Sequence, residues 1–211
     1  MAECAECKVY VCRIGHAEVA PVNCPMRDGD VTNTCESLSD TTLRRMAHES
    51  ALVESEGYLR WTRVEETMEF ARRMGYEKLG IAFCVGLREE AKVLSRVLKA
   101  NGFKVASVVC KTGAIPKEEL DIADCQKVHP GEFEAMCNPI GQARVLNREK
   151  TDFNIVFGLC VGHDSLFIMH SKAPVTCLVA KDRVLAHNPI GALYGSEGYF
   201  KKALYETHKP A

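Results

Sequence analysis

Two apolar runs in the chain stop at the same tripeptide. Ile81-Ala82-Phe83 ends at Cys84-Val85-Gly86, and Val156-Phe157-Gly158-Leu159 ends at Cys160-Val161-Gly162. A short continuous apolar run, closed by glycine and followed by helical spacing, predicts a buried strand, a tight turn and a helix start. A first strand is therefore expected over 79–83. Leu87, Ala91, Leu94 and Leu98 recur behind it at helical spacing until Asn101-Gly102. A second strand over 104–109 runs into Cys110. Strand, helix and strand make a βαβ unit, with parallel strands and a right-handed crossover. The pattern continues with a third strand over 152–159, a short helix over 163–170 and a fourth strand over 175–180. A small extra strand is expected over 184–186, and a last helix carries Tyr199, Phe200, Leu204 and Tyr205. The fold class is α/β: a mostly parallel sheet flanked by helices, Rossmann-like and three-layered.

The chain ahead of this core reads differently. Over 36–76 it is helical. Ser39 or Asp40 can cap a helix carrying Leu43, Met46 and Ala47, and Gly57 interrupts it. A second helix over 62–74 carries Val64, Met68 and Ala71 on one stripe, with Gly75 placed to end it. The two form a helical hairpin on the core. Over 1–35, Cys4, Cys7, Cys12 and Cys24 fall within a short stretch with little apolar material. Such a segment needs a metal to supply the stability its core cannot, either tetrahedral zinc or an iron–sulfur cluster. The expected organisation is thus a cysteine-rich metal knuckle (1–35), a helical segment (36–76) and an α/β domain (77–211).

Four other cysteines are expected to converge. In a parallel sheet all strand C-termini share one edge, and ligands bind in the crevice beyond it. Cys84, Cys110 and Cys160 each end a strand. Cys137 precedes Asn138-Pro139, a good N-cap and first helical residue, so it starts a helix from the same edge. Helix N-termini favour thiolate, the ligand form for iron, zinc or copper. His163 and His187 belong to the same rim as candidate ligands or proton donors. The long loop over 114–137 is unusual in a compact domain unless it has a role. Cys35, Cys125 and Cys177 read as small buried hydrophobes. Asn-Pro-Ile-Gly occurs at 138 and again at 188, so with the paired Cys-Val-Gly there is weak internal duplication.

Composition narrows the classes. The chain has 211 residues, 46% of them apolar, enough for a sizeable core. A formal net charge of −1 gives no overall attraction to nucleic acid or acidic lipid. No apolar run is long enough to cross a membrane. The N-terminus carries no basic-then-apolar leader, which points to the cytoplasm. Eleven cysteines, an odd number, in a reducing compartment point to metal ligands or redox groups more than to disulfides. The phosphate-binding loop, the dinucleotide-binding glycine motif and the G-x-S-x-G nucleophile elbow are all absent.

The early cysteines with Cys24-Pro25, Cys137-Asn-Pro-Ile-Gly-Gln-Ala143 and Leu159-Cys-Val-Gly-His-Asp164 resemble a known family. So does the stretch from Lys172-Ala-Pro-Val-Thr176 through Lys181-Asp-Arg-Val184 to His187-Asn-Pro189. These motifs are similar to the cysteine-rich, uncharacterised metal-binding proteins of anaerobic microbes, domain-of-unknown-function family eighteen-forty-seven. The resemblance covers nearly the whole chain and implies metal binding in an anaerobic redox setting, with no established reaction. The leading expectation is a cytoplasmic iron–sulfur redox protein. Cys84, Cys110, Cys137 and Cys160 would hold a [4Fe–4S]-type cluster, and Cys4, Cys7, Cys12 and Cys24 zinc or a second cluster. It would serve a redox partner protein or a small-molecule substrate, with no nucleic acid and no membrane. A zinc-stabilised, non-catalytic binding or regulatory module and a thiol-dependent enzyme are the alternatives.

Overall fold

A computed structural model describes residues 1–206, apart from the side chain of Cys35, so the expectation for that thiol lies outside the described residues. The chain divides into two compact units, Met1–Tyr58 and Leu59–Ala211.

The first unit opens with a series of single 3-10 turns and the one-turn helix α1, Gly29–Thr32. Its buried apolar side chains are few: Val11 and Ala20 near the start, Val53 further on. The Arg27 guanidinium ties the opening turns together, donating to the carbonyls of Ala20 at 2.6 Å and Pro21 at 3.1 Å. Helix α2, Thr41–Gly57, starts at Asp40, whose carboxylate accepts from the N–H groups of Thr42 and Leu43. Those are two of the donors that a helix start leaves unpaired.

The second unit opens with helix α3, Arg63–Met74. Thr62 and Glu65 form a reciprocal capping box at its start, and Gly75 closes it at φ +74°. Four strands follow: β1 Lys78–Phe83, β2 Lys104–Val109, β3 Phe153–Phe157 and β4 Val175–Val179. They pair in the order β2-β1-β3-β4, all parallel. Helix α4, Arg88–Ala100, joins β1 to β2; α5, Pro139–Arg148, leads to β3; and α6, His163–His170, leads to β4.

Because side chains alternate along a strand, each central strand feeds two cores. Leu79 and Ile81 of β1 and Ile155 and Phe157 of β3 pack with Met68 and Ala71 of α3 and Ala91, Leu94 and Leu98 of α4. Ala82, Val108 and Val156 turn to the opposite face and pack with Ala143 and Leu146 of α5 and Phe167 of α6. The result is the expected three-layer α/β sandwich. The chain steps from β1 outward to β2, then returns past β1 to β3, so strand order reverses between β1 and β3. The crevice beyond that reversal is where doubly wound sheets bind ligands.

Three local expectations are corrected. No strand forms over 184–186; the Asp182 carboxylate accepts from the N–H groups of Val184 and Leu185 and folds the segment into a side-chain-closed turn. The last helix is two short ones, α7 Ile190–Tyr194 and α8 Lys201–Tyr205, separated around Gly195. Cys177 is exposed because β4 is an outer strand, and Cys125 is exposed in the loop. Among the described residues no helix is long and apolar enough to cross a membrane.

Candidate functional site

The rim at the strand reversal is built by backbone ladders that run one residue past each strand. The Cys84 N–H donates to the Phe157 carbonyl at 3.1 Å, and the Cys110 N–H to the Phe83 carbonyl at 2.8 Å. The β1–β2 register, Phe83 opposite Val109, thus continues to place Cys84 beside Cys110. Cys137 arrives from the other direction. The Asn138 N–H donates to the Cys110 carbonyl at 2.7 Å, its amide to the Thr112 carbonyl at 3.1 Å, while its side-chain oxygen accepts from the Gly141 N–H at 2.8 Å. One asparagine therefore caps α5 and pins the start of α5 to the end of β2.

These contacts bring three thiols together. Cys110 lies between Cys84 and Cys137, close enough to perturb the acidity of both. Its own sulfur accepts from the Val85 N–H at 3.3 Å. Cys84 and Cys110 are buried, at 7% and 2% exposure, and Cys137 is half-buried. Contact of this kind separates the three in acidity. The Cys110 thiol holds Cys84 and Cys137 down to about 5, against the opposing effect of burial. Cys110 itself is pushed far above the thiol range by those two neighbours and by burial.

Cations complete the rim, and reading the sequence missed their part. Lys181 lies against Cys84 and Lys111 against Cys137, each lowering its neighbour by charge. The Arg183 guanidinium donates to the Cys160 sulfur at 3.2 Å. It also sits within the field of Cys84 and Cys137, and these sulfurs, Cys160 foremost, raise its own pKa. Cys160 is thus linked to Cys84 and Cys137 through one shared cation. Lys181 and Arg183 follow β4 at the same sheet edge, so the topological argument that found the sulfurs would have found them too. Gly158 gives this crossing its room: it stands at φ +69°, and a Cβ there would meet Leu87 Cδ1 at 2.2 Å.

Gln142 was also missed. It is fully buried one turn into α5, and its amide donates to the Val108 carbonyl at 2.7 Å and the Phe83 carbonyl at 3.2 Å. It ties together the three elements that carry Cys84, Cys110 and Cys137. The loop between Cys110 and Cys137 is closed at its neck by the Pro116–Ala135 bridge, the Met136 N–H to Ile115 carbonyl bond, the Lys117–Glu134 ion pair and the Lys111 ammonium on the Ala135 carbonyl.

The two histidines differ. His163 begins α6 near Cys137, and its Nδ1 is buried without a hydrogen-bond partner. His187 is committed to the turn after β4. Its Nδ1 accepts from the Asp182 N–H at 3.1 Å and its own N–H donates to the Asp182 carbonyl at 2.8 Å. It braces the turn that carries Lys181 and Arg183.

In the first unit Cys4, Cys7 and Cys24 line one hollow of about 200 Å³, with Glu3, Glu6 and Asn23. Cys12 is exposed and does not line it. Among the described residues, no three His, Cys, Asp or Glu side chains stand as a ready-made metal-ion cage. At the rim the sulfurs meet one another instead. The donor chemistry fits a thiolate-ligated metal group: soft sulfurs, two of them with depressed pKa, a backbone N–H beside them and cations to offset charge.

Fold and rim together define a doubly wound α/β protein with a thiol-lined crevice at its strand reversal. The chain belongs to the family described as "Protein of unknown function (DUF1847)", whose model matches residues 24–178, a span that includes all four rim cysteines. It is 51% identical over 160 residues to the uncharacterized protein MJ0455 of Methanocaldococcus jannaschii, covering 76% of this chain and 80% of that one. No solved structure matches it.

Proposed function

We propose that this chain is a cytoplasmic metal-binding redox protein in which Cys84, Cys110, Cys137 and Cys160 hold a [4Fe–4S]-type cluster. The observation that carries this reading is the convergence of three cysteines from three separate segments at the crevice, where Cys84, Cys110 and Cys137 perturb one another, with Cys160 joined to Cys84 and Cys137 through Arg183. A bound group of this kind supplies reversible one-electron transfer. The chain's own residues do the rest. The Val85 N–H stabilises negative charge on the Cys110 sulfur. Lys111, Lys181 and Arg183 offset the charge of the thiolates. The buried strand ends keep water from one side of the sulfurs. The unpartnered Nδ1 of His163 can give or take a proton beside Cys137. At the N-terminus, Cys4, Cys7 and Cys24, with Cys12 brought in, would take zinc or a second cluster. The rim would exchange electrons with a redox partner protein or a small-molecule substrate.

Iron and acid-labile sulfide analysis after strictly anaerobic purification tests the reading. A brown protein with about four iron and four sulfide at the rim is expected. Cys84→Ser should remove that iron. A colourless, iron-free protein would defeat the proposal; zinc alone, unchanged by Cys84→Ser, would leave a zinc-stabilised module. One observation favours a thiol enzyme as the second reading: Cys137 is both depressed and partly open to solvent. In that case alkylation near neutral pH would select Cys137 in protein that never contained iron.

A further inference from the structure

Helix α4 carries a second feature that the rim does not explain. Arg88, Lys92, Ser95, Arg96 and Lys99 recur at the three- and four-residue spacing that stacks side chains on one helix face. The opposite side of the helix is the buried stripe of Ala91, Leu94 and Leu98. The four cations are all exposed. Glu89 is the acid beside them, 3.4 Å from Arg88 and 4.0 Å from Lys92. Arg96 and Lys99 have no acidic partner among the described residues, in a chain whose net charge is −1. The strip runs about 16 Å along the helix at 1.5 Å per residue. Beside it lies a cavity of about 320 Å³, lined by Phe83, Ser95 and Ser107 as well as the cations. It is open because β2 is the outer strand and no further strand stands beyond Ser107.

The strip begins at the rim. Arg88 follows the Cys84-Val85-Gly86-Leu87 turn directly, and Val85 is 42% exposed there. A body docked on α4 is therefore held against the thiol crevice.

We propose that this face of α4 is the docking surface for a partner protein presenting a carboxylate-rich face. Charge complementarity names the partner's chemistry: four exposed cations in line on a helix, two of them, Arg96 and Lys99, without an acidic partner, recognise an extended acidic surface and give salt-dependent, steered association. A nucleic acid is less well served: among the described residues lining the cavity the one aromatic is Phe83, half-buried at the end of β1, and no series of aromatics follows the strip for successive bases to stack on. That the docked partner exchanges electrons with the rim rests on the iron–sulfur reading; the docking does not.

The full-length protein should be titrated with poly-L-glutamate as the acidic probe, in parallel with a single-stranded oligonucleotide and with inorganic phosphate. Poly-L-glutamate should bind, with affinity that falls steeply as salt rises. Arg96→Glu combined with Lys99→Glu should weaken it by about tenfold or more. Arg144→Glu combined with Arg148→Glu, on exposed α5 positions in the opposite layer, should leave it essentially unchanged, and circular dichroism checks that both variants are folded. Binding that survives the α4 reversal overturns the proposal. So does an oligonucleotide that binds more tightly through the same residues, or phosphate that displaces the probe by filling the cavity alone. Iron analysis on the same preparations separates the two ideas. Iron-free protein that keeps the α4-dependent binding defeats the cluster alone, and iron-loaded protein without it defeats the docking surface alone.

Discussion

Replacing Gln142 with methionine and, separately, with glutamate gives opposite outcomes that can be worked from the structure. Gln142 has no exposed surface; its amide nitrogen serves two carbonyls and its amide oxygen is buried without a partner. Methionine keeps the length of the side chain. It loses two hydrogen bonds of about 0.5–1.5 kcal/mol each, but it also removes an orphaned acceptor whose burial costs about 1–3 kcal/mol. The Phe83 carbonyl keeps its bond from the Cys110 N–H. Gln142→Met should therefore lie within about 1 kcal/mol of the parent. Glutamate puts an oxygen where two carbonyls expect a donor. Its carboxylate would be buried without a cation, so Gln142→Glu should cost about 3 kcal/mol or more at neutral pH. Burial raises that carboxyl's folded pKa above roughly 4.3, the unfolded value. The penalty then appears as pH rises through that unfolded value, and the gap to the parent narrows on acidification. Urea denaturation of all three proteins at neutral and mildly acid pH is the measurement. A Gln142→Glu protein as stable as the parent at neutral pH would show that a donor or water reaches this site. A Gln142→Met protein losing well over 3 kcal/mol would show that the oxygen is not orphaned.

Four further outcomes are expected. In reduced, metal-free protein Cys137, held down to about 5 chiefly by Cys110, should react with iodoacetamide at about pH 6, and Cys110→Ala should slow that reaction about tenfold. The same two depressed thiols, Cys84 and Cys137, contribute stability that is full above roughly pH 8.5 and fades as pH falls toward about 5, so the urea midpoint of metal-free protein should drop across that window and Cys110→Ala should flatten the slope. Asp152→Ala removes the carboxylate that accepts the Glu77 and Lys78 N–H groups at 2.9 and 2.8 Å and should cost about 1–3 kcal/mol, with Asp152→Asn milder, by urea denaturation. Thr62→Ala breaks the α3 capping box and should cost about 1 kcal/mol by the same assay, with an unchanged denaturant slope.

The strands were legible in the sequence because β1 and β3 are buried on both faces and read as unbroken apolar runs. Each run stops where the backbone must turn, at Cys84 and Cys160. The helix starts at Asp40, Thr62 and Asn138 were legible because a capping side chain is a local device, read within three residues. What the sequence hid was of two kinds. The first was competition between a local side chain and a propensity. Val184 and Leu185 suggest a strand, but the Asp182 carboxylate takes both their N–H groups first. The second was partnership across the sheet. Nothing near Cys84 in sequence announces Lys181, and nothing near Val108 announces Gln142. Cys177 fell between the two: its apolar neighbours read as core, and only the strand order puts β4 at the edge.

The rim makes sense only when its charges are taken together. Three sulfurs in contact cannot all ionise, because each added thiolate raises the cost of the next. The fold answers this by raising the pKa of the most buried one, Cys110, and by placing Lys111, Lys181 and Arg183 beside the outer three sulfurs. On the proposed reading a metal would have to displace the proton of Cys110, since only thiolate serves as a ligand. Asn138 and Gln142 hold the backbone at Cys84, Cys110 and Cys137 in place, so a ligand at the rim would meet a sheet edge already fixed.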